Sequence, residues 1–424
     1  MKTTALRLYG KKDLRLERFE LPEAKEDEIV AEIVTNSVCM SDHKAALQGA
    51  DHKRVPKDVD RNPTIIGHEF AGYVRWVGQK WADRFRAGQR FSIQPALGYK
   101  GSLDAPGYSF HHIGGNASFV IVPSCVMEVN CLLPYEGEGF FKASLSEPMS
   151  CIVGAAHAQY HTTYGSYKHK MGIVRRGACA ILAGAGPMGL GCVDYLVHGP
   201  RKPKLLVVTD IDQARLDRAS TLFPPTVARK AGVKLVYVNT SGQADPVAYL
   251  RSFAGEHGFD DAFVFAPVAP VIEQADAILG RNGCLNFFAG PTDPKFTARF
   301  NFYNVHYAET HIVGTSGGNT DDMREALELM SAGKINPAAM ISHVGGITAA
   351  RDTVLNLPQI PGGKKLIYTQ YDLPLVALTD LAEVGRGNPF YAKLAELCAQ
   401  YGGLWNTEAE LYLLANAPKL NLPE

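Results

Sequence analysis

Two groups of residues in this chain are of types that do chemistry. The first is Cys39-Met40-Ser41-Asp42-His43, followed by Gly67-His68-Glu69 and, much later, by Glu147-Pro148. A thiolate, an imidazole and a carboxylate make a donor set suited to zinc, which accepts sulfur, nitrogen and oxygen ligands in tetrahedral geometry. Sequence distance alone does not bring them together, and each has an ordinary alternative. A lone cysteine usually packs in a core, a lone histidine usually makes a structural hydrogen bond, and Glu-Pro often marks a turn. The second group is Gly184-Ala185-Gly186-Pro187-Met188-Gly189. An apolar run, 178–183, leads into it, and a helix-like segment, 188–197, leaves it. The next apolar run ends in Asp210, 21 residues past Gly189. That is the setting in which a GxGxxG loop cradles a dinucleotide, rather than forming a glycine-rich turn in some other sheet. Gly184 permits the tight turn, Gly186 lets backbone N–H groups approach a pyrophosphate, and Gly189 lets helix pack on strand. The helix opened by Pro187 and Met188 adds partial positive charge at its N-terminus. Asp210 would hydrogen-bond the adenosine ribose and repel a 2′-phosphate, so NAD is expected over NADP. Arg215, shortly after the acid, is a further candidate for coenzyme contact.

The segments that must position these groups differ in texture. Residues 1–150 are β-rich, with short runs at 29–34, 71–77 and 118–122 broken by Gly, Pro and Asp, and a polar, basic stretch at 49–62 that reads as a loop. From 178 onward apolar runs at 205–210, 234–238, 261–265 and 284–289 alternate with helix-length segments. Near-continuous apolar strands separated by helices argue for a parallel, doubly wound sheet. After Gly314 the alternation fades. Residues 321–332 read as a helix, 364–368 as a late strand, and 372–424 as helical, with candidates at 389–401 and 408–416. The expected fold is α/β, with a β-rich domain built from 1–155 and 310–424 and a dinucleotide-binding domain from 156–309.

Bulk properties narrow the classes. The 424 residues are 46% hydrophobic and 20% charged, and 43 basic side chains balance 43 acidic ones. With no net charge there is no electrostatic reason to expect nucleic acid or an anionic membrane as partner. No run approaches 18 apolar residues and the N-terminus reads as no secretory signal, so a cytoplasmic location is the default expectation. Eight irregularly spaced cysteines without a CxxC pair read as thiols rather than a disulfide framework.

Several motifs occur together in a fixed order: Cys39-x-Ser41-Asp42, Gly67-His68-Glu69-Phe70-Ala71-Gly72, Gly88-Gln89-Arg90-Phe91, the stretch 115–123, Glu147-Pro148, and the glycine loop with Asp210. From about residue 1 to 370 the chain thereby resembles the zinc-containing medium-chain dehydrogenases of alcohols and polyols. The resemblance implies a GroES-like catalytic domain beside a Rossmann coenzyme domain. It implies one catalytic zinc held by Cys39, His68 and Glu69 or Glu147, with Asp42 behind the His68 ring, and a homo-oligomer of two or four chains. It implies hydride transfer between a nicotinamide and a ketone or secondary alcohol whose oxygen the zinc polarises. Ser41 would begin the proton relay. Many relatives end that relay on a histidine five residues after the cysteine; here that position is Lys44 and His43 stands one place earlier, so His43 is the candidate. Glu69 is a candidate both as ligand and in catalysis.

The chain also departs from the family. Relatives with a second, structural zinc hold it on four close cysteines, and the corresponding stretch here, 95–122, has none, so no structural zinc is expected. The segment between Cys39 and His68 is long and carries His52, Lys53, Arg54, Lys57 and Arg61, either a solvated loop or a set of charges for an anionic substrate group. The C-terminus extends past the usual family end. With these features the chain looks most like the branch that reduces L-sorbose 1-phosphate to D-glucitol 6-phosphate. The alternatives are a dehydrogenase of unphosphorylated polyols or threonine-like amino alcohols, and, more remotely, a non-catalytic NAD-binding redox sensor.

Overall fold

A computed structural model describes residues 1–163 and 165–421. The chain forms two compact units, Met1–Glu147 with Ile341–Glu424, and Pro148–Met340. Among the described residues no helix is long and apolar enough to cross a membrane. None of the eight cysteines is joined in a disulfide.

The first unit is built on an eight-stranded sheet. Its order runs Val376–Ala377, Ile341–Gly346, Lys364–Tyr368, Ile29–Val38, Glu69–Val77, Arg90–Ile93 and Leu132–Pro134, with Phe119–Val122 also paired to Ile29–Val38. Pairing is antiparallel except between Ile341–Gly346 and Lys364–Tyr368. A hairpin, Lys2–Gly10 with Asp13–Glu20, and the short strand Thr64–Ile65 make a second, three-stranded sheet. Phe70, Phe91, Val120 and Ile33 lie in one buried apolar cluster, and Leu6, Leu8, Tyr108 and Ile367 in another. The two chain segments of this unit are interleaved, since Lys365–Tyr368 pairs in register with Val38–Thr35. The 49–62 stretch holds only a short 3-10 turn, Gly49–Asp51, as its Gly, Pro and Asp content suggests.

The second unit carries a six-stranded parallel sheet in the order Lys234–Asn239, Leu205–Asp210, Ala178–Leu182, Phe259–Val264, Leu279–Phe287 and His311–Gly314. The first strand in sequence lies at the centre and the chain winds outward on each side, the doubly wound topology. Every residue of Leu205–Asp210 is buried, which is why the strand reads as an unbroken apolar run. Where the sequence suggested boundaries at 155 and 310, the compact units divide after 147 and after 340. The physical reason is pairing: His311–Gly314 is the last strand of the parallel sheet, paired with Cys284–Phe287, and the turn Pro337–Met340 packs on the helix Pro187–His198.

The C-terminal segment belongs to the first unit, and one carboxylate there gathers several of its contacts. Glu410, on the helix Thr407–Asn416, accepts hydrogen bonds from the backbone N–H groups of Phe140 and Phe141, at 2.5 and 2.8 Å, and from the Tyr368 hydroxyl at 2.8 Å. Trp405, fully buried, donates its indole N–H to the same tyrosine oxygen at 2.8 Å. Burial dominates and pushes the Glu410 carboxyl up to about 7, against the pull of these three donors and of Lys142. An acid whose pKa is higher in the folded chain than in the unfolded one costs stability as pH rises. The cost is absent below about 4.5, grows as the unfolded chain ionises, and is complete above about 7, at about 3 kcal/mol. Glu410→Gln should therefore flatten the fall in thermal midpoint between pH 5 and pH 8. An unchanged slope in thermal unfolding across that range would show that Glu410 does not carry this titration.

Candidate metal centre and coenzyme loop

Strand Ile29–Val38 runs into Cys39, which takes an extended conformation (φ −115°, ψ 153°) and caps the helix Met40–Gln48. Asp42 is the third residue of that helix and is fully buried. Its Oδ2 accepts the Cys39 backbone N–H at 3.0 Å, and its Oδ1 accepts the His68 Nδ1 proton at 2.7 Å. One carboxylate thus ties the cysteine backbone and the histidine ring together across 26 residues of sequence. With Nδ1 committed to Asp42, Nε2 is the ring atom left for a metal.

Glu69 follows directly, as the first residue of strand Glu69–Val77, in register with Ser37. Before it stands Gly67, with φ +107°, where a Cβ would lie 2.8 Å from Asn116 Nδ2 and 2.9 Å from Asn36 Nδ2. Only glycine satisfies both the backbone conformation and the space, which explains the Gly-His-Glu order in local terms. The Cys39 Sγ, a His68 ring nitrogen and a Glu69 carboxylate oxygen lie within 4.8 Å of one another. Zinc bonds such atoms at about 2.0–2.3 Å, so a small contraction closes them on one ion.

The electrostatics of the trio fit a cation. Lys364, on strand Lys364–Tyr368, donates to Glu69 Oε1 at 2.5 Å, and both residues are buried. Burial opposes ionisation of Glu69, but the Lys364 ammonium and His68 outweigh it and hold the carboxyl below its ordinary value. The same pairing raises Lys364 in spite of its burial, through Cys39 and Glu69. Glu69 is thereby an anion, yet its Oε2 is buried with no hydrogen-bond partner among the described residues. A buried carboxylate oxygen without a donor is costly, and a metal ion would satisfy it. Burial lowers His68, and Asp42 overcomes it, so in the metal-free protein the ring is held protonated well above its usual range. Metal binding must displace that proton.

The structure places the other sequence candidates differently. Ser41 Oγ lies 3.1 Å from Cys39 Sγ and 3.5 Å from His68 Nε2, inside the cluster. The His43 side chain is turned to the helix Ala350–Leu355, where its Nδ1 donates to the Val354 carbonyl at 2.8 Å; the residue meets Cys39 only through its backbone N–H, which donates to the Cys39 carbonyl at 3.3 Å. Glu147, nearly buried at the start of the helix Ser146–Ala158, is not one of the close trio; its charge acts on Lys364. Two residues escaped the sequence reading. Lys364 is 295 residues from its partner Glu69. Tyr108, fully buried, sets its hydroxyl 2.9 Å from His68 Nδ1 and 3.4 Å from Nε2. Neither lies in a spacing pattern; a strand of the parallel pair delivers one and an irregular segment the other.

In the second unit the glycine loop joins strand Ala178–Leu182 to helix Pro187–His198, with Gly186 as its cap and Pro187 and Met188 in its first turn. Gly184 N–H donates to Thr209 O at 2.8 Å, and a Cβ on Gly189 would overlap the Gly184 backbone. Gly186 differs: nothing of the protein lies within 4 Å of where its Cβ would be. No protein contact demands glycine there, as expected where backbone is approached by a phosphate. Asp210 ends its strand nearly buried. Its Oδ2 accepts the Ala185 N–H at 3.2 Å and its Oδ1 the N–H groups of Ile211 at 2.9 Å and Asp212 at 3.2 Å, so the acid stiffens the loop beside it. Arg215 is exposed and paired at 3.4 Å with Asp212.

An antiparallel unit bearing a Cys–His–Glu metal set, joined in one chain to a doubly wound dinucleotide sheet, defines a two-domain zinc dehydrogenase. Comparison with known proteins agrees. Residues 25–130 match the alcohol dehydrogenase GroES-like domain and 205–332 the zinc-binding dehydrogenase domain. The chain is 52% identical over 97% of its length to mannitol-1-phosphate 5-dehydrogenase of Aliivibrio fischeri, covering 97% of that protein. It is 50% identical to L-sorbose 1-phosphate reductase of Klebsiella pneumoniae, over 98% of each chain. Its fold matches the crystal structure of 2R,3R-butanediol dehydrogenase from Bacillus subtilis with a TM-score of 0.69 at 19% identity, over 86% of this chain and 99% of that one. The chain belongs to the zinc-containing medium-chain dehydrogenases and is an oxidoreductase. Metal analysis of zinc-reconstituted protein should find one ion per chain, and Cys39→Ala should lose it with the far-ultraviolet circular dichroism unchanged. Asp42→Asn should weaken zinc binding about 10- to 100-fold in competition with a chromophoric chelator. Undiminished affinity there would show that Asp42 does not orient the ligand.

Proposed function

We propose that this enzyme interconverts a hexitol phosphate and a ketose phosphate, with L-sorbose 1-phosphate and D-glucitol 6-phosphate as the substrate pair and NAD as coenzyme. The observation that carries the reading is the identity of at least half the residues, along nearly the whole chain, with two enzymes named for a hexitol phosphate and a ketohexose phosphate. Their named substrates differ in the six-carbon part and share the phosphate.

In this reading Cys39, His68 and Glu69 hold one zinc, with Glu147 the alternative carboxylate ligand. The bound groups supply Lewis-acid polarisation of the substrate oxygen and a hydride donor or acceptor. The chain's own residues do the rest. Asp42 keeps His68 Nδ1 protonated and Nε2 free. Lys364 keeps Glu69 anionic. Ser41, 3.1 Å from the Cys39 sulfur, relays the proton: during oxidation its oxygen accepts the substrate hydroxyl proton as its own hydroxyl proton passes on toward water, and reduction runs the same exchange backward. Gly184, Gly186 and Gly189 admit the pyrophosphate to the helix N-terminus of Pro187 and Met188. Asp210 accepts from the ribose hydroxyls and repels a 2′-phosphate, with Arg215 drawn toward Asp212 rather than left free for that phosphate.

Two measurements test this. With NADH, L-sorbose 1-phosphate should be reduced with a far higher kcat/KM than L-sorbose, and equal values would replace the sugar phosphate by a free polyol as substrate. Asp210→Ser should relax the preference for NAD over NADP by about tenfold to hundredfold, the equivalent of one charged hydrogen bond. A strong preference of the unmutated enzyme for NADP would remove Asp210 from this role.

A further inference from the structure

The long segment between Cys39 and His68 carries several cations, and their environments differ. Lys57 donates to the Ala50 carbonyl at 2.6 Å and is exposed. Lys53 and Arg61 are exposed, and Lys44 already has an interaction partner. Arg54 alone of these packs on the ring of Tyr108, with its guanidinium carbon 5.5 Å from the ring centroid. The hydroxyl of that tyrosine is the one that touches His68. A single aromatic ring therefore separates a guanidinium from a metal-binding histidine.

The arrangement is fixed on several sides. The His52 ring stacks on Tyr108 at 5.6 Å with 15° between planes, and its Nδ1 accepts the Arg54 N–H at 3.3 Å. Ser109, next to Tyr108, donates its hydroxyl to the Arg54 carbonyl at 2.7 Å. Burial, then Arg54 and Lys53, push His52 down to about 4, so the ring beside Arg54 is neutral at pH 7. Two acids of the same segment are engaged elsewhere, Asp51 with Lys11 at 2.6 Å and Asp58 with Asn62 at 2.7 Å, and the third, Asp60, is exposed and makes no ion pair with Arg54. Arg54 is half-buried, its Nε is buried with no acceptor, and no carboxylate or carbonyl among the described residues takes a hydrogen bond from its guanidinium.

A partly buried guanidinium without an anion is an unfinished site. Buried charges are ordinarily paired, and a guanidinium presents parallel N–H donors that match two oxygens of a phosphate. We infer that Arg54, held by Tyr108, is the residue that reads the phosphate of the substrate. This rests on the sugar-phosphate reading above and assigns its specificity to one side chain. Arg54 here is a binding group, and Tyr108 positions it.

The test compares phosphorylated and free substrate in the same protein. Arg54→Gln keeps a polar, planar end without the charge, and Arg54→Lys keeps the charge without the fork. For the unmutated enzyme and both variants, kcat/KM is measured with L-sorbose 1-phosphate and L-sorbose. Binding of D-glucitol 6-phosphate and D-glucitol to the zinc-loaded protein without coenzyme is measured by calorimetry. Arg54→Gln should cut the phosphate preference about tenfold to hundredfold in both readouts, mainly through KM, and Arg54→Lys should restore part of it. Lys57→Ala should leave the preference unchanged. If Arg54 only props Tyr108, both substrates weaken together and the ratio stands, which overturns the inference while the sugar-phosphate reading survives. If the unmutated enzyme shows no preference for phosphate, that reading falls and the inference with it. Should Arg54→Gln fail to fold, the Arg54→Lys ratio decides alone, because lysine retains charge and stem but not bidentate geometry.

Discussion

The catalytic unit turns on one buried carboxylate. Asp42 has no exposed surface, and both its oxygens are used: one on the Cys39 backbone, one on the His68 ring. A charge in such a place is tolerable only when paired and hydrogen-bonded. The requirement runs in both directions. Asp42 needs the helix turn and the histidine to be where they are, and they need Asp42 to hold a thiol and an imidazole at metal-binding separation. Everything else in the site extends this arrangement.

The extension follows the chain outward. From His68 the backbone passes directly into Glu69, whose charge is balanced by Lys364 from a strand near the other end of the sequence. The same strand ends in Tyr368, whose hydroxyl meets Glu410 and Trp405 of the C-terminal segment. Lys364 and Tyr368, four residues apart on one strand, therefore tie the metal set and, through Glu410, the backbone of Phe140 and Phe141 to the same sheet. In low dielectric such networks specify one arrangement when every member is satisfied. The Glu69 Oε2 atom is the member left without a hydrogen-bond partner among the described residues. On the coenzyme unit a similar logic holds on a smaller scale: Asp210 secures the glycine loop through the Ala185 N–H, and the open space at Gly186 is what the loop keeps for a ligand.

Much of this was legible in the chain. The strand–glycine loop–helix–strand–acid order is local, so its residues are adjacent in space because they are adjacent in sequence, and the unbroken apolar run 205–210 reports burial on both faces of a parallel sheet. Cys39, Ser41, Asp42, His68 and Glu69 fall in two short motifs whose order resembles a family, and their residue types name the metal. What the sequence alone determined is thus the kind of chemistry and the architecture that serves it. Tertiary structure decided the rest, since charge balance and side-chain direction are set by contacts between distant segments. It joined Lys364 to Glu69 across 295 residues and brought Tyr108 from an irregular stretch onto His68. It left Glu147 outside the close trio and turned His43 to the Val354 carbonyl, because a helix position fixes which neighbour a side chain meets and a residue count does not. Of the cations between Cys39 and His68, all alike in the sequence, it placed Arg54 alone against the tyrosine that touches the metal-binding histidine.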